Sequence, residues 1–262
     1  MCSAFRTMVA VVALSALVGG APPPLRVCSD PNNMPFSNRA GDGFENRIAE
    51  LIARDLHRPL EYFWSPQRRG FIRTTLDAGR CDLVMAVPER SERVLTTRSY
   101  YRSAYAFVSR GGRSRAIRSF DDARLRNLVV GIQVTGDDYN NPPAAQALAS
   151  RGIVSNVRGY MVYGDYSKPD PQRAIVDAVA SGAIDVAVVW GPTAGYFARH
   201  QPVPMAVTPV AAGAPATSPF DFAIAMGVRR DDRTLQQTID GVLVRRRADI
   251  RRVLAGFGVP LL

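Results

Sequence analysis

Cys81-Asp-Leu-Val-Met-Ala-Val87 and Ile184-Asp-Val-Ala-Val-Val-Trp190 are the two stretches on which the fold turns. Each carries one early Asp and is otherwise apolar, the pattern of a strand buried on both faces, as in a parallel sheet. Upstream of the first, Phe71-Ile72, Leu76 and a stop at Gly79 predict a helix. Before that helix, Leu60-Glu-Tyr-Phe-Trp64 reads as a strand that starts just after Pro59. Phe44, Ile48, Leu51, Ile52 and Leu56 recur at spacings of three and four and predict an amphipathic helix running through His57. Leu25-Arg-Val-Cys-Ser29 is a short strand that ends in the polar loop Asp30-Pro31-Asn32-Asn33. The order β-α-β-α-β argues for parallel strands joined by right-handed crossovers.

The second stretch sits in a unit of the same kind. Leu128–Ile132 reads as a strand, Pro142–Ser150 as a helix, Val157–Tyr163 as a strand and Pro171–Ser181 as a helix leading to Ile184–Trp190. Tyr105–Ser109 and Phe222–Met226 are short extended segments that bracket this unit, and 207–219, rich in Ala, Pro and Ser, reads as a loop. The expected architecture is a bilobed α/β protein whose lobes are joined by two crossover segments. Lobe 1 is 22–107 with 225–262, and lobe 2 is 108–224.

The first 21 residues set the compartment. Arg6 precedes the apolar run Met8–Val18, and Gly19-Gly20-Ala21 follows it, the layout of a cleaved signal peptide. No cysteine stands at the cleavage region to take a lipid anchor, and no later run reaches the length of a membrane span. Export to a bacterial periplasm is the expectation. Removal of the leader deletes Cys2 and leaves Cys28 and Cys81, which in an oxidising compartment read as one disulfide, with two buried thiols as the alternative. The bridge would close a loop that contributes about 4 kcal/mol on the chain-entropy model.

The 262 residues are 47% hydrophobic and 21% charged, an ordinary globular composition that excludes disordered and fibrous classes. Net charge is +10, and every basic residue but Lys168 is Arg. The Arg residues are scattered, and their densest group, Arg245-Arg246-Arg247 with Arg251-Arg252, reads as a solvated helix face.

Several motifs resemble a known family. Gly43-Phe44, Leu76-Asp-Ala-Gly-Arg-Cys-Asp82 and Pro88-Glu-Arg…Ser99-Tyr-Tyr101 look like the first lobe of a type II periplasmic solute-binding protein. Within that superfamily, Arg26–Ser37, Pro66–Phe71, Leu95–Ser103, Val162–Tyr166 and Val188-Val-Trp-Gly-Pro192 are similar to the quinoprotein dehydrogenase-associated branch of MxaJ/XoxJ type. The resemblance implies a periplasmic accessory protein whose partners are a pyrroloquinoline-quinone (PQQ) methanol dehydrogenase and its cytochrome c, with a role in activation or maturation of the enzyme. A transporter-linked receptor for a small organic solute is the alternative, and a periplasmic dehydratase of prephenate-like acids on the same fold is a second.

In that fold, ligands sit between the lobes beyond the carboxyl ends of the strands. The cleft positions are then Asp30, Asn32, Phe36, Trp64, Arg68, Arg90, Thr135, Gly136, Asp137 and Trp190. Amino-acid-binding relatives clamp a carboxylate with an Arg, here Arg90, and an ammonium with an Asp, whose place is taken by Trp190. Asp137 and Asp138 stand at the second-lobe helix N-terminus where an anion would dock. Two of the three clamp elements are missing, which disfavours amino-acid transport. Enzymatic signals are weak. His57 and His200 are isolated, no zinc pattern exists, and Gly131-Ile-Gln-Val-Thr-Gly136 lacks the Lys-Ser/Thr of a phosphate loop. The carboxylate pairs Asp121-Asp122 and Asp137-Asp138 suit helix caps. No cofactor, metal or nucleic acid is expected.

Overall fold

A computed structural model describes residues 22–111, 116–135, 142–163, 165–210 and 220–262. The expected signal segment, Gly136, Asp137 and Asp138 lie outside the described residues. The first half of the chain runs β1 (Leu25–Ser29), β2 (Asn32–Asn33), β3 (Ser37–Asn38), α1 (Phe44–Asp55), β4 (Leu60–Trp64), α2 (Phe71–Thr74), β5 (Leu83–Pro88) and β6 (Leu95–Thr96). A long strand, β7 (Tyr101–Arg110), leads into β8 (Val130–Val134), α3 (Pro143–Ala149), β9 (Val157–Met161), α4 (Ala174–Ser181), β10 (Val186–Trp190), α5 (Gly191–Arg199) and β11 (Met205–Pro209). The chain returns through β12 (Asp221–Val228) and ends in α6 (Arg233–Arg245) and α7 (Arg247–Gly256).

The strand order is β4-β1-β5-β12-β7-β10-β8-β9, with β6 on β12 and β11 on β7. β4, β1 and β5 are parallel, as are β10, β8 and β9, so both β-α-β units have the expected sense. This is the type II periplasmic binding protein fold. The two crossings are longer than the expected segments, and they pair with each other. β7 meets β12 over Tyr101–Ala104 and then meets β10 and β11 from Tyr105 onward. The two halves therefore share one hydrogen-bonded ladder through their crossings.

Each half has its own core. Phe44, Ile48 and Ile52 of α1 pack with Leu25, Leu83, Met226 and the α6–α7 residues Ile239, Val242 and Leu254. In the second half, Phe107, Val130, Leu148, Val186 and Val188 form one cluster, and Val108, Ile175, Val179, Ala187 and Phe197 form another on the opposite sheet face. Strands β5 and β10 are buried on both faces, as their composition requires. Cys28 and Cys81 form a disulfide with Cα atoms 5.5 Å apart.

Three local expectations are corrected. The helix expected to reach Leu76 stops at Thr74, where the Thr75 hydroxyl donates to the Phe71 carbonyl at 2.6 Å and competes with continuation. The strand expected at 128–132 is shifted to Val130–Val134, since Asp185 takes the Val129 N–H at 2.7 Å and ends the ladder there. The expected loop 207–219 begins inside β11, an edge strand that tolerates Pro209 at its end; 211–219 lies outside the described residues. Arg245 and Arg246 are not wholly solvated either, because both pair with Asp55 of α1 at 2.5 and 2.7 Å.

Candidate functional site

Between the two halves lies a cavity of about 480 Å³. Phe36, Glu45 and Gln67 line it from the first half, Gln133, Gln172, Trp190 and Thr193 from the second, and Tyr105 and Phe222 from the crossings. No Lys, Arg or His lines it among the described residues. Trp190 closes the end of β10 and meets Tyr105 and Phe222 edge-on at ring separations of 5.5 and 5.8 Å. Its backbone N–H donates to Gln133 Oε1 at 2.7 Å, which fixes the start of α5. Gly191 follows because a Cβ there would stand 2.4 Å from the Ala104 carbonyl oxygen.

Glu45 is the chemically conspicuous lining residue. It lies in the first turn of α1, where its N–H donates to the Phe36 carbonyl at 2.9 Å. Asn46 performs the capping, its Oδ1 accepting from the Gly43 and Asn38 N–H groups at 3.2 and 3.1 Å, so the Glu45 carboxyl is left free of the helix end. The side chain is 5% exposed as a residue, and its Oε1 has no partner among the described residues. Burial, reinforced by the nearby negative charge of Asp30, pushes the Glu45 carboxyl up to about 8, which keeps it protonated at neutral pH. Thr193 Oγ1 is buried and equally without a partner.

On the rim beside the cavity, side chains bind the halves together. Asp30 is 2% exposed. Its carboxylate accepts from the Asn32 and Gln67 N–H groups at 2.9 and 2.6 Å and from the Tyr166 hydroxyl across the gap. Burial and that bond to Asp30 hold the Tyr166 phenol well above its ordinary range, as a neutral donor. Asn32 donates to the Lys168 carbonyl at 2.9 Å, and Gln172 donates to Asn33 Oδ1. The Arg68 guanidinium lies 4.8 Å from the Tyr166 ring centre and 5.8 Å from that of Tyr163. A charge-assisted contact of this kind on aromatic faces contributes about 0.5–2 kcal/mol.

The expected cleft residues thus divide. Phe36, Thr135 and Trp190 line the cavity, while Asp30, Asn32 and Arg68 form the rim that ties the halves. Trp64 stacks on Tyr62 at 4.6 Å on the outer strand β4, under the Arg39 guanidinium. Arg90 is exposed beyond the end of β5 and is not among the cavity-lining residues. His57 and His200 are exposed, and His200 Nδ1 contacts its own helix at the Tyr196 carbonyl, 2.7 Å away. Asp122 caps the short 3₁₀ turn Ala123–Arg126 as expected of that pair. Sequence reasoning missed Glu45, Gln133, Gln172 and Thr193. A signal for Glu45 was present, since 45, 49 and 52 fall on one face of α1 with Ala49 and Ile52 in the core.

The chain matches the bacterial extracellular solute-binding proteins, family 3, over residues 25–253. It is 32% identical over 246 residues to Protein MoxJ of Methylorubrum extorquens, covering 91% of this chain and 81% of that protein. The crystal structure of the periplasmic binding protein XoxJ from Methylobacterium extorquens AM1 superposes with a TM-score of 0.75 and 37% identity, over 91% of this chain and 99% of that one. An ancestral cationic amino acid solute-binding protein, 20% identical, shares the fold with a TM-score of 0.68 over 90% and 95% of the two chains. With the parallel β-α-β units and the inter-lobe cavity already described, these matches place the chain in the bacterial extracellular solute-binding proteins, family 3, as a binding protein of MxaJ/XoxJ type.

Proposed function

We propose that this chain is a non-catalytic periplasmic accessory protein of a PQQ-dependent methanol dehydrogenase, exported by the leader 1–21 and acting in activation or maturation of the enzyme. The observation that carries the reading is the similarity to XoxJ and MoxJ over 91% of the chain. The cavity chemistry supports it by opposing the usual solute. A carboxylate entering a cavity with no cationic lining residue among the described ones would lose its hydration without a counter-charge, at a cost of several kcal/mol. The lobes in this reading are 22–107 with 225–262 and 108–224, which turn where β7 passes from β12 to β10 near Tyr105. The cytochrome c of the same system is a further partner on the strength of the family resemblance alone. Deletion of the gene tests the reading: the periplasmic dehydrogenase should be present but of low activity, and recovered when the chain is supplied. Full activity in the deletion strain would refute it.

A second reading, receptor for a small uncharged organic solute, is favoured by the unpartnered Glu45 and Thr193 atoms, whose residues line a mostly apolar cavity. Calorimetry against neutral polar solutes, with hinge closure followed by small-angle scattering, separates it from the first.

A further inference from the structure

A second large depression lies on the first lobe and shares no lining residue with the inter-lobe cavity. It is a groove of about 530 Å³ where the start of β7 meets α6, α7 and the last residues of the chain. Its lining is mixed: polar and charged side chains share it with apolar ones, of which Val244 and Leu262 are open to water, 54% and 60% exposed. Apolar side chains left open to water beside one another mark a surface that another molecule covers.

Some arginines of this chain are neutralised in ion pairs and others are not. Arg26 and Arg229 share Asp82, Arg245 and Arg246 share Asp55, and Arg252 pairs with Asp249. At the groove, Arg102 pairs with Asp221, but the side chains of Arg98, Arg247 and Arg251 make no ion pair among the described residues. Glu89 is the one acidic side chain in the lining. Unpaired guanidinium groups beside the open Val244 and Leu262 side chains are complementary to a segment that offers carboxylates on either side of a bulky apolar side chain. Guanidinium groups also steer such a partner during approach.

We propose that this groove docks an acidic segment of the dehydrogenase partner, one that buries an apolar side chain against Val244 and Leu262 while its carboxylates meet Arg98, Arg247 and Arg251. The proposal rests on the accessory function above and supplies the surface through which it is exercised. The inter-lobe cavity plays no part in this contact.

The test uses the purified mature chain and the purified dehydrogenase of the same host, with association followed by biolayer interferometry at several salt concentrations. Arg247→Glu with Arg251→Glu should weaken binding by about tenfold or more, mostly through a slower on-rate, and flatten its salt dependence. Val244→Asp should weaken binding at every salt concentration. Circular dichroism and the melting temperature confirm that each variant is folded, and Arg158→Gln, an exposed residue of β9 remote from both cavities, should bind as the wild type does. Groove variants that bind normally would overturn the proposal and leave the accessory function standing. A wild-type chain with no affinity for the dehydrogenase would overturn both. Binding to anionic phospholipid vesicles instead, lost in the groove variants, would replace the protein partner with a membrane surface.

Discussion

Glu45→Gln should make the protein more stable at neutral pH and remove most of its alkaline sensitivity. In the unfolded chain the carboxyl titrates at its ordinary 4.5, and in the fold burial and Asp30 raise it to about 8. Between those values the folded state binds a proton that the unfolded state has released, so stability falls as pH rises. Below about 4.5 no penalty exists, and above about 8 it is complete. At about 1.4 kcal/mol per pH unit, the full penalty is about 5 kcal/mol, and at pH 7 about 3 kcal/mol has accrued. The groups facing Glu45 are Asp30, which is charged, and the phenols of Tyr62, Tyr100 and Tyr101, which burial keeps neutral; none of them offers a compensating cation. Gln is close in shape and carries no charge, so its stability should run nearly flat over this window apart from groups common to both proteins. Urea unfolding of both proteins at pH 5, 7 and 8.5, read by Trp fluorescence, gives the difference directly. A difference that does not change with pH would show that Glu45 is paired or solvated and refute the reasoning.

Other consequences follow from single contacts. Replacing Cys28 and Cys81 together by Ser should lower stability by about 4 kcal/mol, and reductant should then have no further effect on the melting temperature. Gly43→Ala would put a Cβ 2.0 Å from the Phe36 carbonyl oxygen, a backbone clash that should cost about 3 kcal/mol or more and lower the expressed soluble yield. Titration calorimetry with the common amino acids should show no binding heat, because no cationic side chain lines the cavity among the described residues; micromolar affinity for any of them would restore the transport reading.

The sequence declared the fold through the residues that burial constrains most. Strands β5 and β10, apolar on both faces, can only be interior, and the three-and-four spacing from Phe44 to Leu56 can only be one face of a helix. The same logic explains the errors. Leu76 is fully buried although the helix stops two residues before it, so its periodicity reported burial rather than helix. Only Val207–Pro209 of β11 fall in the expected loop 207–219, whose Ala, Pro and Ser are poor strand signals, and pairing with β7 carries the strand through them. The rim positions could be reached from sequence because Asp30 and Arg68 follow strands β1 and β4 and Asn32 lies in the two-residue β2 just beyond β1, at the strand ends where an α/β cleft lies. Glu45 was not sought because a Glu in a first helical turn normally serves the helix end, and only tertiary packing shows that Asn46 has taken that task.

That arrangement also bears on where function lies. Among the described residues, Ser29 Oγ, Glu45 Oε1, Asn46 Nδ2 and Thr193 Oγ1 are the buried side-chain atoms without a partner, and two of them belong to residues that line the same cavity from opposite lobes. An unpaired buried group costs about 1–3 kcal/mol, more for one that must also give up its charge. Folds hold such costs where a site needs the group, and elsewhere packing or pairing removes them. In the receptor reading, a side-chain rotation that opens these atoms to the cavity would let a ligand hydrogen-bond to a neutral acid and a hydroxyl amid Phe36, Tyr105, Trp190 and Phe222. An amino-acid zwitterion does not fit, for it would bring a carboxylate to a site with no cation. An uncharged polar group does, since Glu45 in its protonated state donates to it and Thr193 can donate or accept. Above about pH 8 the acid would lose that donor, so any such ligand should bind more weakly as the solution becomes alkaline.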